Sequence, residues 1–472
     1  MIALDINGDF ADVLTRYLAT LAKQPLEYTK VGDQRMSGVV QHRYNMISQE
    51  WSPDGLVQPG TWNHPVEIYI PDDAVSRRAV LVVNNGINHD LQLGAAETPS
   101  NFTAATLSAI ARETDTIVVS IGDVPNQYLV YQNDGKPRIE DHSVAHSWAL
   151  FLSAPAELPA MSLHVAMTAA VSRAMTLAQS ELKSWEVDRF IVSGASKRAW
   201  AVWLAAIADA RVDAIVPFAM GLLGTRAALK HIYRSYGGNW PIAFQPYYSE
   251  HVDEQIDTDA FSQLVKIEDP LEYLNTGFAS RLDIQKYIIN ASGDDFFVPD
   301  NANLYYHRLS GGKVIRAVPN SNHDHVVVPA EQSLITFVNR IQRGVSLPRI
   351  DAAFRSDGQA QMLSASFSEE PTRLTLWEAT NPAARDFRYA CGIKYTPTSL
   401  ALTALHSVEI HLVAPPSGWR SVFIEVTFRD GFIATTPVFV SPEDQYPSAA
   451  PPSSTAVCQT LPGRGFRPSA SS

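Results

Sequence analysis

Apolar residues recur at helical spacing in "ADVLTRYLATLAK", residues 11–23, which predicts a short amphipathic helix near the start of the chain. "QHRYNMISQEW" and "HPVEIYIP" then alternate or cluster as strands do. "RRAVLVVNNG" and "DTIVVSIGDVP" are apolar runs closed by Asn, Gly or Pro, with the helical stretch "TAATLSAIARET" between them. Residues 161–184, rich in Ala, Met and Leu, predict a long helix. The strand "DRFIVSG", the helix "KRAWAVWLAAIADA" and the strand "RVDAIVPFAM" follow. "QKYIINASGDD" and "KVIRAVPNSNH" are later apolar runs that end in polar, Gly or Asn residues. Strands alternating with helices in this way imply an α/β chain with a mainly parallel sheet covered on both faces.

Two regions break the rhythm. Residues 221–283 contain "HIYRSYGGNWPIAFQPYY", crowded with aromatic side chains. An insertion at that point lies above the carboxyl ends of the strands, where open α/β sheets bind ligands. It is read as a helical, aromatic cap, with Tyr233, Tyr236, Trp240 and Phe244 as pocket residues. The plainer alternative is a peripheral excursion whose aromatics pack only its own small core. Beyond about residue 350, "QAQMLSASF", "TRLTLWEAT", "SVEIHLVAP", "SVFIEVTF" and "TTPVFVSP" are short strand-like runs separated by turn signals. They predict a small immunoglobulin-like β-sandwich. The expected organisation is a lead-in over 1–40, an α/β domain over 41–348, the sandwich over 349–442 and a disordered Pro/Ser-rich tail over 443–472.

Composition narrows the class. The chain has 472 residues, 46% of them hydrophobic and 18% charged, as in a globular protein with a large core. A formal net charge of −12 and the lack of a basic, aromatic-laced cluster argue against nucleic acid as a partner. The N-terminal segment has acids at Asp5 and Asp9, no basic n-region and no apolar stretch of signal-peptide length. No run of apolar residues is long enough to span a membrane. The expectation is a soluble protein, cytoplasmic or exported by a route that uses no such signal. Cys391 and Cys458 form no C-x-x-C pair and are read as two unpaired thiols, since Cys458 lies in the tail.

Three apolar strands each end in a reactive group. Ser196 follows the strand over 189–193, Asp294 and Asp295 follow 286–291, and His323 follows 313–318. Serine, acid, histidine is the chain order of the triads of α/β-hydrolases. A serine hydroxyl needs a histidine to take its proton and a carboxylate to orient that imidazole. Gly194 suits the strained turn that such a serine occupies, and the amide of Lys197 would point at the developing oxyanion. A second oxyanion donor is expected from "NNGIN", at Gly86 or Ile87. In the usual Gly-x-Ser-x-Gly elbow the fifth position is glycine, whereas Arg198 stands here. The competing reading makes Ser196 an N-cap of the following helix. Spacing alone does not choose between Asp294 and Asp295. No HExxH motif or third ligand accompanies His323, Asp324 and His325, so no metal and no cofactor is called for.

"GASKRAW" together with "SQEW", "VPNQ", "EDHSVAHSW", "GDDFFVPD", "VPNSNH" and "RDFR" resembles the PhoPQ-activated pathogenicity-related proteins over roughly Tyr44 to Phe387. The resemblance implies an α/β-hydrolase fold with Ser196 as nucleophile. The family's elbow reads Gly-Ala-Ser-Lys-Arg-Gly, so Arg198 is in pattern and Ala199 is the departure. The family's acid motif favours Asp294 over Asp295, and its Pro-Asn-x-x-His matches His323. Glu140 and Asp141 belong to a family segment read here either as helix capping or as a contact to a substrate amine. Members are usually exported behind a signal peptide, which this N-terminus lacks.

These readings converge on a serine hydrolase that cleaves an ester or amide bond, an esterase rather than a peptidase. Its substrate is a small molecule or a peptide. The rival is a non-catalytic binding protein, secreted or host-directed, built on the same scaffold, in which the cap and the β-sandwich carry the function; a protein or carbohydrate partner of the sandwich is left open.

Overall fold

A computed structural model of the chain describes residues 9–88, 97–357, 360–402, 406–453 and 455–467. The chain forms two compact units, one comprising the chain up to Pro217, Pro246–Ile284 and the C-terminal end from Phe466, the other Phe218–Gln245 and Gln285–Gly465.

The first unit opens with helix α1 (Val13–Leu21), whose Val13, Leu14, Tyr17, Leu18 and Leu21 are buried at the spacing of one helical face. Its strands are β1 (Glu27–Met36), β2 (Val39–Glu50), β3 (Thr61–Pro71), β4 (Arg78–Val83), β5 (Ile117–Ile121), β6 (Arg189–Ala195) and β7 (Val212–Phe218), joined in the order β1-β2-β3-β5-β4-β6-β7. β1, β2 and β3 form an antiparallel meander, and β3 pairs antiparallel with β5 through Val66 and Ile121. β4 pairs parallel with both β5 and β6, Val82 facing Ser120 on one side and Ser193 on the other. The central strands are continuous apolar runs buried on both faces, as a helix-covered parallel sheet requires. The covering helices are α2 (Ala104–Thr114), α3 (Glu140–Ser153), α4 (Leu163–Glu181) and α5 (Lys197–Ala208). Every residue of α5 from Lys197 to Ile207 is buried, the two charged ones included. The polar β1, which has no apolar alternation, is held mainly by its ladder to β2.

In the second unit β8 (Gln285–Ala291) and β9 (Lys313–Val318) are parallel neighbours. The strand-rich C-terminal segment forms two antiparallel sheets. One holds β10 (Ile350–Asp357), β11 (Ala360–Phe367) and β14 (Ser407–Val413). The other holds β12 (Arg373–Asn381), β13 (Thr396–Leu400), β15 (Trp419–Thr427), β16 (Ile433–Thr435) and β17 (Phe439–Ser441). Phe354 of β10 stacks on Phe439 of β17 at 5.7 Å, a contact between the two sheets. The second sheet is continuous with the α/β strands, because β16 pairs with β9 through Thr435 and Ile315. Ala317 of β9 accordingly shares a core with Ala379, Phe387, Tyr395, Phe423, Val438 and Val440.

The aromatic insertion divides between the units at Gln245 and Pro246. Its helix Thr225–Ser235 and strand Asn239–Pro241 belong to the second unit, and its helix Asp259–Glu268 to the first.

Two expectations about the tail are overturned. Cys391 and Cys458 form a disulfide rather than two free thiols. The described part of 443–472 is ordered around it: Cys458 is buried, and Thr460–Pro462 pairs antiparallel with Asn239–Pro241. Arg388 donates to the carbonyls of Val457 and Cys458 at 3.3 and 3.0 Å. The Pro- and Ser-rich tail cannot build a core of its own, but it borrows one through the crosslink and the added strand.

Candidate active site

At the end of β6 the chain turns within one residue into α5. Ser196 occupies that turn at φ 58°, ψ −127°, a conformation that costs a non-glycine residue energy and recurs at functional sites. Its side chain makes no capping bond to α5, so the plain N-cap reading fails. Gly194 sits in close packing: a Cβ there would lie a tight 3.2 Å from the carbonyl of Val83 and from the backbone of Arg198. Arg198 fits in place of a second glycine because its side chain is buried beside α3, with Nε donating to the Val124 carbonyl at 2.5 Å and Nη2 to Glu140 at 2.5 Å. Trp200, one turn on, donates to the Glu268 carbonyl at 2.5 Å and anchors the same helix.

The loop after β4 carries Gly86 and Ile87, the residues expected to offer the second oxyanion donor. Gly86 has φ 130° and packs so closely on Asp123 that a Cβ would collide with its carboxylate. Ile87 is a correction: its N–H donates to the Glu97 carbonyl at 3.1 Å, which commits that amide to the backbone. Burial pushes the Asp123 carboxyl up to about 7, with Arg198 acting against the shift.

Glu140 and Asp141 open α3 but are not its N-cap, which is Ile139. Their carboxylates hold Lys197 Nζ at 2.7 and 3.0 Å, and Asp141 also accepts from Tyr247 at 3.1 Å. Protein cations therefore occupy the acids that sequence offered to a substrate amine. Burial opposes ionisation of Glu140, but Arg198 and Lys197 outweigh it and hold the carboxyl well below the usual range. The motif "VPNQ" joins the same network: Gln127 Nε2 donates to Glu140 at 2.9 Å and to the Gly86 carbonyl at 2.7 Å.

In the second unit the turns after β8 and β9 carry the acid and the histidine. Asp294 is buried and accepts the amides of Phe296 and Phe297 at 2.8 and 3.1 Å. Both its oxygens lie 2.9–3.0 Å from His323 Nδ1. Asp295 lies beside this pair rather than in it: its carboxyl meets the backbone of His323, and burial, then the neighbouring Asp294, push it up to about 6. The β-rich segment braces both turns. Tyr389 N–H donates to the Gly293 carbonyl at 3.0 Å, and a Cβ on Gly293 would come within 2.6 Å of that nitrogen. Asn320 exchanges two hydrogen bonds with the backbone of Tyr395, at 2.7 and 2.9 Å, and Tyr395 Oη donates to the Ser292 carbonyl at 3.2 Å. Sequence reading assigned no role to Asn320, Tyr389 or Tyr395, although Asn320 lies inside a quoted motif.

Three of the four proposed pocket aromatics form a chain toward His323. Tyr233 and Trp240 are 5.2 Å apart, Trp240 and Phe244 5.4 Å, Phe244 and Phe296 5.8 Å, and Phe296 and His323 4.6 Å. Tyr236 departs from the set: it is as deeply buried as Trp240, but the Arg388 guanidinium lies 5.0 Å from its ring centre. Phe296, which sequence reading left without a role, links the aromatic segment to the histidine.

A serine on a sharp strand-to-helix turn at the centre of a parallel sheet, with an Asp–His pair on later strand ends, defines an α/β-hydrolase fold. The chain belongs to the PhoPQ-activated pathogenicity-related protein family, whose sequence model matches residues 14–388. It is 27% identical over 405 residues to autocrine proliferation repressor protein A of Dictyostelium discoideum, covering 81% of this chain and 79% of that one. Among solved structures it is similar to an acetyl xylan esterase from Paenibacillus sp. R4, with TM-score 0.47, 14% identity and coverage of 71% and 96%. It is also similar to acetyl xylan esterase 1 from Thermoanaerobacterium sp. JW/SL YS485, with TM-score 0.42, 15% identity and coverage of 70% and 93%. Among the described residues no helix is long and apolar enough to cross a membrane.

Proposed function

We propose that the protein is a serine hydrolase that cleaves an ester or amide bond through an acyl-enzyme on Ser196, His323 and Asp294. The observation that carries the reading is the conformation of Ser196, φ 58° and ψ −127° on the turn between strand and helix. The Asp294–His323 pair supports the assignment of base and orienting acid. With Nδ1 facing Asp294, Nε2 is the ring nitrogen that takes the hydroxyl proton as Oγ attacks the carbonyl carbon. The amides of Lys197 and Gly86 would hold the resulting oxyanion. Collapse expels the alcohol or amine, which receives its proton from His323. Water then repeats the sequence on the acyl-enzyme and returns Ser196. Esters come first in a substrate screen, by analogy with capped enzymes of this fold.

A fluorophosphonate probe tests the reading directly. Labelling is expected of the wild type, lost in Ser196→Ala, collapsed in Asp294→Asn and retained in Asp295→Asn. A folded wild type that takes up neither a bulky nor a small fluorophosphonate would overturn it. A second reading, a non-catalytic binding protein on the same scaffold, is favoured by the name of the Dictyostelium relative, which describes a signal rather than a reaction. Under that reading Ser196→Ala leaves the biological activity of the protein unchanged.

A further inference from the structure

The Glu140 carboxylate joins two segments whose separation matters to the proposed chemistry. On the elbow side Oε2 accepts from Lys197 Nζ at 2.7 Å and Oε1 from Arg198 Nη2 at 2.5 Å. On the other side Oε1 accepts from Gln127 Nε2 at 2.9 Å, and the same nitrogen donates to the Gly86 carbonyl at 2.7 Å. Gln127 Oε1 in turn takes the Glu140 backbone N–H at 3.0 Å. Arg198 Nε closes a second route, through the Val124 carbonyl at 2.5 Å, into the loop that carries Gln127. A chain of three side chains, Arg198, Glu140 and Gln127, thus runs from the helix bearing the Lys197 amide to the Gly86 carbonyl.

Burying these charges is expensive, and apolar side chains of similar volume would often hold the segments together as firmly. Apolar packing, however, does not fix the rotation of a peptide plane. The bond from Gln127 pins the Gly86–Ile87 peptide, while the preceding peptide, which carries the Gly86 N–H, is held by the Asp123 N–H on the Asn85 carbonyl at 3.0 Å. Stabilising the oxyanion requires both donors to be aimed before the charge develops.

We infer that Glu140 is a positioning residue for hydrolysis: through Gln127 and Arg198 it sets the spacing of Gly86 from the elbow, and so the geometry of the oxyanion hole. This inference rests on the hydrolase reading. Because the donors act on charge that appears only in the transition state, the signature is a loss in kcat with little change in KM.

The test compares wild type, Gln127→Met and Glu140→Gln on p-nitrophenyl acetate. Gln127→Met cuts the link to Gly86 and leaves the Lys197, Arg198 and Glu140 ions in place. Each variant is expected to lose about 10- to 100-fold in kcat, part of what a whole oxyanion donor contributes, with KM within about twofold. A trifluoromethyl ketone, whose adduct places an oxyanion in the same hole, should weaken in parallel. If Gln127→Met does not fold, Gln127→Asn, which keeps the amide but shortens its reach, replaces it. Wild-type kcat in a variant, or a change confined to KM, overturns the inference and leaves the hydrolase reading standing, provided the wild type labels with fluorophosphonate at Ser196. A wild type that neither labels nor hydrolyses the ester overturns both.

Discussion

The two halves of the proposed site are built by opposite means. Ser196 is held from below by buried charge, with Lys197 and Arg198 paired to Glu140 and Asp141. Asp294 and His323 are held by neutral groups: the Asn320–Tyr395 exchange, the Tyr389 amide and a run of aromatic rings. Buried ions are unforgiving, since removing one partner strands the other without solvent. Neutral hydrogen bonds each contribute about 1 kcal/mol net, so losing one is partly absorbed by its neighbours. The elbow must hold a strained backbone in one conformation, and the ionic scaffold suits that task. In the hydrolase reading the histidine accepts and returns a proton, with Asp294 at its Nδ1 and the Asp295 carboxyl beside the pair.

The largest expected effect removes the chemistry and spares the scaffold. Ser196→Ala and His323→Ala should each lower ester turnover by about 10⁴-fold or more, with the thermal midpoint of Ser196→Ala near that of the wild type. Next comes the ionic scaffold. Arg198→Ala should cost about 3–4 kcal/mol in urea unfolding, because it removes the hydrogen bonds of a buried guanidinium to the half-buried Glu140 and to the Val124 carbonyl. The disulfide follows. Cys391 and Cys458 are 67 residues apart, so loop-closure arithmetic assigns the crosslink about 4 kcal/mol. Cys391→Ser, or a reductant, should lower the unfolding midpoint and expose the segment carrying Trp240 to protease.

A smaller effect is written in pH. The Asp123 carboxyl is raised from its ordinary value to about 7, so its contribution to stability is full below about pH 4 and is lost as pH rises through 7. Asp123→Asn should abolish that slope and gain up to about 3 kcal/mol on the wild type at pH 8, read from urea curves at pH 4, 6 and 8. The smallest effect belongs to the neutral scaffold. Asn320→Ala should cost about 1–2 kcal/mol, well short of Arg198→Ala. Equal losses in the two variants would erase the contrast between the halves.

Periodicity and strand-end chemistry were legible in the chain. The continuous apolar runs ending at Val83, Ala195 and Ala291 could satisfy their pattern only as buried strands, and Ser196, Asp294 and His323 follow such strands in order. The polar β1 was invisible because it is held by a ladder to β2 rather than by apolar alternation. Ile87 looked as good an oxyanion donor as Gly86 until its amide was found paired with Glu97, a partner that no local pattern announces. Tyr236 and Trp240 differ by four positions in an aromatic stretch, yet one lies against Arg388 and the other against Phe244.

The sequence by itself determined the alternation of strand and helix, the reactive residue types at strand ends and their order, because these depend on local spacing and on side-chain chemistry. Tertiary structure alone decided that Asp294 rather than Asp295 faces His323 Nδ1, that Glu140 and Asp141 serve Lys197 and Arg198, and that Cys391 reaches Cys458. Each of those outcomes depends on which groups meet across the fold. Partners distant in sequence are chosen by burial and hydrogen-bond geometry, neither of which is encoded in any short stretch of chain.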